Sequence, residues 1–331
     1  MSSCNDLSSF NSLCQCKGER SLNAMLKCFE IFSPLIRGNL DLIEKNAYKF
    51  VQGQKKQNVL YTEVRYSPHF LAAADASTAT GIEEGGARGV VEAVTAGLVR
   101  GCADCGVVVN QILCCINWRP EWADETVSLA ADFKRPNQAC PVVAVDIAAG
   151  EEHFDCSAFP QLHDPHLKAM QRAKSLGLSI TLHAGENADP ENVKKAVSLY
   201  GATRIGHGYR ASDHPQLMKW VVDKGVHLEV CPTSSLETGG WLGPEGKLDW
   251  RQHPLVKMLE GNCSISINSD DPTVFNTSIN EEVGIAHGDM GVEVEQIQQI
   301  MIAAMEASFA SEEVKRKVQE KLLRGGELAS R

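Results

Sequence analysis

The amino-acid sequence predicts an α/β fold, a TIM-type (β/α)₈ barrel whose first strand is missing or replaced. Three observations predict it. Short apolar runs alternate with longer stretches of helical spacing, the order of βαβ units and a parallel sheet. The runs are continuous rather than alternating, as strands buried on both faces are. Reactive or tightly turning residues follow almost every run, so polar groups from many strand ends would meet on one rim, as at the top of a barrel. A doubly wound sheet would concentrate its site at one switch point. It would also be favoured by a GxGxxG after a strand or a GxxxxGK[ST] loop, and neither occurs.

The elements follow in order. Residues 1–20 are a polar leader, expected to be disordered, and 21–331 are expected to form a single domain. A helical stretch, Leu22–Val51, is predicted to break near Pro34. The first strand candidate is Val59–Arg65, followed by Ser67 and His69. Then come helical Gly89–Val99 and strand Val107–Cys114, helical Thr126–Phe133 and strand Val142–Ile147, the latter followed by Gly150, Glu151 and Glu152. Helical Leu167–Ser175 leads to strand Ser179–His183, with Glu186 three residues on. Helical Val193–Leu199 leads to strand Thr203–Gly206, closed by His207. Helical Leu217–Val222 leads to strand Val226–Val230, followed by Cys231, Ser234 and Ser235. Helical Leu255–Leu259 leads to strand Ser264–Asn268, followed by Asp270 and Asp271. Val294–Leu323 closes the chain as two helices. Seven strands result. The missing one belongs first, because the sequence opens on the helix that would follow it.

Composition excludes several functions. A net charge of -10 disfavours nucleic-acid binding by phosphate neutralisation. No apolar run approaches the ~18 residues of a membrane helix. The N-terminus lacks a signal-peptide core, so a cytoplasmic location is expected. The twelve cysteines then read as small buried hydrophobes in a reducing compartment. Cys102 and Cys105 form a CxxC with no second pair at zinc-ribbon spacing, and the favoured reading is structural.

The strand-end residues carry chemistry. His183, Glu186, His207, Asp270 and Asp271 each have a plain structural reading alone: a hydrogen-bonded imidazole, a helix cap, a turn. Together, at one end of successive strands, they point to a site. Adjacent carboxylates repel unless a cation or donor is near. An imidazole plus a carboxylate suits Zn²⁺ with an open position, and a further glutamate and histidine suit proton transfer and orientation of the attacking water. His163, His166, His214, His253 and His287 lack such company and are expected at the surface.

The strings EVRYSPH (Glu63–His69), ILCC (Ile112–Cys115), VVAVDIAAGEE (Val142–Glu152), HAGE (His183–Glu186), RIGHGY (Arg204–Tyr209), CPTSSLETG (Cys231–Gly239) and NSDDP (Asn268–Pro272) resemble the adenosine/AMP deaminase family, in order from about Ser21 to near Ser308. The resemblance implies an amidohydrolase-type barrel with one zinc ion. It implies His183 and Asp270 as zinc ligands, and Glu186 as the acid that protonates purine N1. It implies His207 as the residue that positions and helps deprotonate the attacking water, Asp271 as the carboxylate at N7, and Gly150 as the backbone N–H at N3. The paired-cysteine deaminase fold uses H-x-E with P-C-x-x-C, and here no proline directly precedes Cys102 and no P-C-x-x-C occurs.

One departure stands out. The family carries His-x-His on its first strand, completing the zinc shell, and here the first histidine is His69. Three accounts fit: a truncated product of a gene for a full deaminase, a natural short form impaired in metal binding, or a leader that supplies an unorthodox strand. The first is preferred, because Glu186, His207 and Asp271 are needed only for chemistry. The expected function is hydrolytic deamination of adenosine and 2′-deoxyadenosine to the inosine forms with release of ammonia. The alternative is an impaired deaminase that binds purines or another protein. A small-molecule nucleoside is the expected partner, with no nucleic acid, membrane or protein.

Overall fold

The computed structural model describes residues 6–73, 86–135, 138–151 and 160–329. Helices α1 (Leu7–Leu13), α2 (Leu22–Ile36) and α3 (Leu40–Lys56) precede strand β1 (Tyr61–Tyr66). Then follow α4 (Pro68–Leu71), α5 (Ala87–Cys105), β2 (Val108–Ile116), α6 (Ala123–Asp132), β3 (Val142–Ala148), α7 (Pro160–Ser175) and β4 (Ser179–Ala184). Next come α8 (Glu191–Ser198), β5 (Arg204–His207), α9 (Pro215–Asp223), β6 (His227–Val230), α10 (Pro232–Glu237), α11 (Pro254–Glu260) and β7 (Ser264–Ile267). The chain closes with α12 (Pro272–Phe275), α13 (Ile279–Gly288), α14 (Val294–Ala307) and α15 (Glu312–Ala329).

All seven predicted strands form, within two residues of their expected bounds. They pair in parallel in the order β1-β2-β3-β4-β5-β6-β7. Parallel pairing with helical crossovers puts every strand's C-terminal end on one side, which is why the strand-end motifs meet. Among the described residues no ladder joins β7 back to β1. Among the described residues the seven strands form a curled, open barrel with a seam between β7 and β1.

The main apolar core lies between β2–β7 and their helices, around Leu113, Val145, Met170, Leu182, Ile205, Leu228 and Ile265. A second core joins β1 and β2 to α3 and α5. There Gly97 is obligatory: a Cβ would stand 2.1 Å from the Glu44 carbonyl oxygen of α3. Inside the barrel, charge replaces hydrocarbon. Arg204 pairs with Glu63 at 2.6 Å and with Glu229 at 2.7 Å. Arg65 pairs with Glu229 and, at 2.9 Å, with Asp146. Burial alone would raise the Glu229 carboxyl, but the two guanidinium groups outweigh it and hold it well below the usual range.

Three expectations change. Helix α2 runs through Pro34, and the break falls after Ile36, where the Asn39 side chain accepts the Leu42 N–H at 3.1 Å and starts α3. The leader, read as disordered, carries α1 with Asp6 capping Ser9 N–H at 2.8 Å. Cys14 and Cys16 are buried, and Cys16 N–H reaches the Val274 carbonyl at 2.9 Å. Of the histidines expected at the surface, His166 and His253 are buried. His253 accepts Leu255 N–H on Nδ1 at 3.0 Å, and its Nε2–H donates to Ser235 Oγ at 2.8 Å, since the Ser235 hydroxyl itself donates to Pro232 O at 2.6 Å. His166 hydrogen-bonds the Asn117 carbonyl at 3.0 Å. Both find partners far along the chain.

Candidate functional site

The sheet register builds the site. β4 and β5 align so that His183 lies opposite Gly206 and Ala184 opposite His207. Gly206 leaves room for the His183 ring, since a Cβ there would meet its Cγ at 3.1 Å. One ligand atom from each of His183, His207 and Asp270 falls within 4.8 Å of the others. Three non-glycine residues at these strand ends have positive φ: Ala149 (64°), His207 (68°) and Asp270 (52°). Such backbone costs about 1–3 kcal/mol each and gathers at functional sites.

Each imidazole is oriented by a neighbour. His183 Nδ1 faces both Asp146 oxygens, at 2.9 and 3.2 Å, which turns its Nε2 toward the site. Burial alone would lower the His183 pKa, yet the Asp146 carboxylate lifts it to about 9. A cation bound at Nε2 would displace that proton. His207 Nδ1 lies 3.0 Å from Tyr209 Oη. The Tyr209 hydroxyl spends its one hydrogen on the Cys231 carbonyl at 2.8 Å, so Nδ1–H of His207 is the donor. The Nε2 lone pair of a neutral His207 then faces Glu186 Oε2 at 3.7 Å and Asp270 Oδ2 at 3.9 Å.

Glu186 is buried, and its Oε1 has no hydrogen-bond partner. Burial raises its pKa, Asp270 adds to the rise, and the His207 and His183 imidazoles oppose it. Its backbone is clamped by Glu151. One Glu151 oxygen accepts the N–H groups of Glu186 at 2.9 Å, Asn187 at 3.0 Å and Ala188 at 3.1 Å. The other accepts Gly185 N–H and, at 3.3 Å, Asn192 Nδ2. Asp270 accepts the Ser234 hydroxyl at 2.7 Å. Asp271 is pushed up to about 8 by burial and by the adjacent Asp270 charge.

Five of the six residues expected from sequence line one cavity: His183, Glu186, His207, Asp270 and Asp271. Gly150 does not; the wall at the end of β3 is Ala148 and Ala149. The cavity, about 1880 Å³, runs from Phe29, Phe32 and Trp118 at the rim, through the open seam, to Met301, Met305 and Leu322 of α14 and α15. Asp146, Glu151 and Tyr209 are site residues whose roles the sequence did not give. A charged residue inside an apolar strand, as in VVAVDIA, was the available signal for Asp146.

His183, its tautomer fixed by Asp146, and Asp270 are donors of the kind a zinc-type cation takes, one fewer than the three protein ligands usual for a catalytic zinc, and His207 stands beside them. Residues 4–324 match the sequence model of the family described as adenosine deaminase. The chain is 35% identical over 305 residues to the adenosine deaminase of Xenopus tropicalis, covering 91% of this chain and 81% of that one. It superposes with a TM-score of 0.77 and 22% identity on an amidohydrolase from Burkholderia ambifaria with bound Zn, covering 92% and 79% of the two chains. It superposes with a TM-score of 0.75 and 25% identity on the N6-methyl-AMP deaminase from Arabidopsis thaliana, covering 92% and 84%.

Proposed function

This chain belongs to the adenosine deaminase family, and from that premise we propose that its site deaminates adenosine and 2′-deoxyadenosine to inosine and 2′-deoxyinosine with one zinc ion and release of ammonia. One observation carries the reading: Glu186 and the His207 Nε2 lone pair face each other at 3.7 Å beside His183 and Asp270. An acid and a base meet there in a buried pocket.

His183 and Asp270 would hold the zinc, which when bound supplies a Lewis acid that lowers the pKa of water toward neutrality. The remaining work falls to side chains. Glu186, whose pKa burial raises, is placed to give a proton to purine N1, which would make C6 electrophilic. His207 accepts the proton of the water that attacks C6. Asp271, raised by burial and by the adjacent Asp270 charge, is the carboxyl group placed to meet N7. The amino group at C6 leaves as ammonia once protonated. At the end of β3, Ala149 is better placed than Gly150 to meet the purine edge.

A second reading is an impaired deaminase that binds purine without efficient turnover. The open seam beside the site favours it, as does the absence of any histidine before His69. Metal analysis and the ultraviolet absorbance change from adenosine to inosine separate the two. Stoichiometric zinc with turnover supports the enzyme. Purine binding without turnover at saturating zinc supports the impaired form. AMP and N6-methyl-AMP, assayed beside adenosine, test whether the substrate is instead a 5′-monophosphate.

A further inference from the structure

We propose that Cys102 and Cys140 are a thiol-oxidation site that closes to an intramolecular disulfide when the protein meets a small-molecule disulfide such as oxidised glutathione. In sequence the nearest cysteine to Cys102 is Cys105. Folding supplies a different one. Cys102 lies in the last turn of α5 and Cys140 just before β3, 38 residues apart, and their Sγ atoms are 3.4 Å from each other. Both stand where strands begin, whereas His183, Glu186 and Asp270 stand where strands end. In a parallel sheet these are opposite sides, so the pair is separate from the deaminase site.

The geometry is close to that of a bond. A disulfide holds its sulfurs at about 2.03–2.05 Å, so they must approach by about 1.4 Å. Cys140 lies outside the strands, with φ 56°. Its carbonyl accepts Gln111 Nε2 at 2.5 Å, and Gln111 Oε1 accepts the Tyr66 hydroxyl at 2.7 Å. The link would therefore tie α5 to the start of β3 and, through Gln111 of β2 and the Tyr66 hydroxyl, to β1.

The thiols differ in a way that orders the reaction. Cys102 is partly exposed and Cys140 is buried. The two thiols share a hydrogen bond in which either sulfur can donate, and this contact lowers the pKa of Cys102, the more accessible sulfur. The same shared proton raises Cys140. The Cys102 thiolate attacks oxidised glutathione, forming a mixed disulfide and releasing one glutathione thiol. Cys140, no longer facing a thiolate, gives up its proton and attacks the Cys102 sulfur, releasing the second glutathione. Two protein thiols are oxidised to one disulfide as one glutathione disulfide is reduced to two thiols.

The test uses the full chain, reduced, desalted and incubated with oxidised glutathione, then unfolded in excess alkylating reagent for mass spectrometry. The expected product has two fewer alkylated thiols, and peptide fragmentation places the link between Cys102 and Cys140. The oxidised chain should melt about 5 °C higher, and dithiothreitol should reverse the change. Cys105→Ser should keep the link, and Cys140→Ser should abolish it. A link between Cys102 and Cys105, or a parent chain that carries only glutathione adducts or no oxidised thiol, would overturn the proposal. Fragmentation of the unmutated chain decides the pairing even if a variant folds poorly.

Discussion

Tyr209 fixes the tautomer of His207. Its hydroxyl lies 3.0 Å from His207 Nδ1 and gives its own hydrogen to Cys231 O, so the lone pair of His207 must face Glu186. Remove the phenol oxygen and the imidazole can flip its proton or its ring. Tyr209→Phe should lower kcat for adenosine roughly 10- to 100-fold with less change in KM, as loss of an orienting partner does. Steady-state kinetics check this. Equal losses in kcat for Tyr209→Phe and a remote core variant of matched stability would remove the orienting role.

Glu186→Gln keeps size and polarity and removes the transferable proton. Turnover should fall by roughly 10²-fold or more. Zinc content, measured by atomic emission, should stay near that of the parent, because Glu186 is not a ligand in the proposed scheme. Unchanged turnover sinks the proton-donor role.

Glu229 sits between two guanidinium groups, with Thr181 Oγ1 donating to it at 3.0 Å. Glu229→Gln would leave Arg204 with Glu63 alone and Arg65 with Asp146 alone, removing the carboxylate that the two guanidinium groups share. We expect a loss of about 3–5 kcal/mol in urea unfolding, the usual cost of removing one partner of a buried pair. A loss below about 1 kcal/mol would mean that water already screens the cluster.

Buried neutral histidines set an acid limit to stability. Burial lowers His253 to about 3 and His227 to about 4, from an ordinary 6.5. Below pH 6.5 the unfolded chain binds protons that the folded chain refuses. The stability from these groups is complete above pH 6.5 and is lost as pH falls toward 4 and then 3. Each contributes a slope of up to about 1.4 kcal/mol per pH unit in that window. Chemical unfolding of His253→Gln between pH 7 and 4 should give a shallower decline than the parent. Parallel curves would show that His253 is not titrating on unfolding.

The strands and the rim were legible because buried parallel strands are continuous apolar runs, and Val142–Ala148 is one. His183, His207 and Asp270 could be placed on one rim because each lies within two residues of the end of its run. What sequence could not reveal depended on distance or backbone shape. His253 and Ser235 meet across 18 positions, and Cys102 and Cys140 across 38. The Ala149–Gly150 choice is a matter of one residue: the family resemblance pointed to the glycine, while the cavity wall holds the alanine, and both have φ of 64°. The leader's anchorage was hidden too, because Gly18 N–H finds Glu237 at 2.9 Å, 219 positions away.

The seam gives the sheet two ends, and a sheet with ends can fray. Opening from the outer ladder begins with β7, the strand that delivers Asp270, while His183 stays held further in on β4. An ion gripped by both would act as a cross-tie over three ladders. Its affinity and the resistance of the last strand to peeling would then be one quantity seen twice, each rising with the other as metal concentration is raised. Hydrogen exchange along Ser264–Ile267, followed as zinc is titrated, would read the tightness of the site without any substrate.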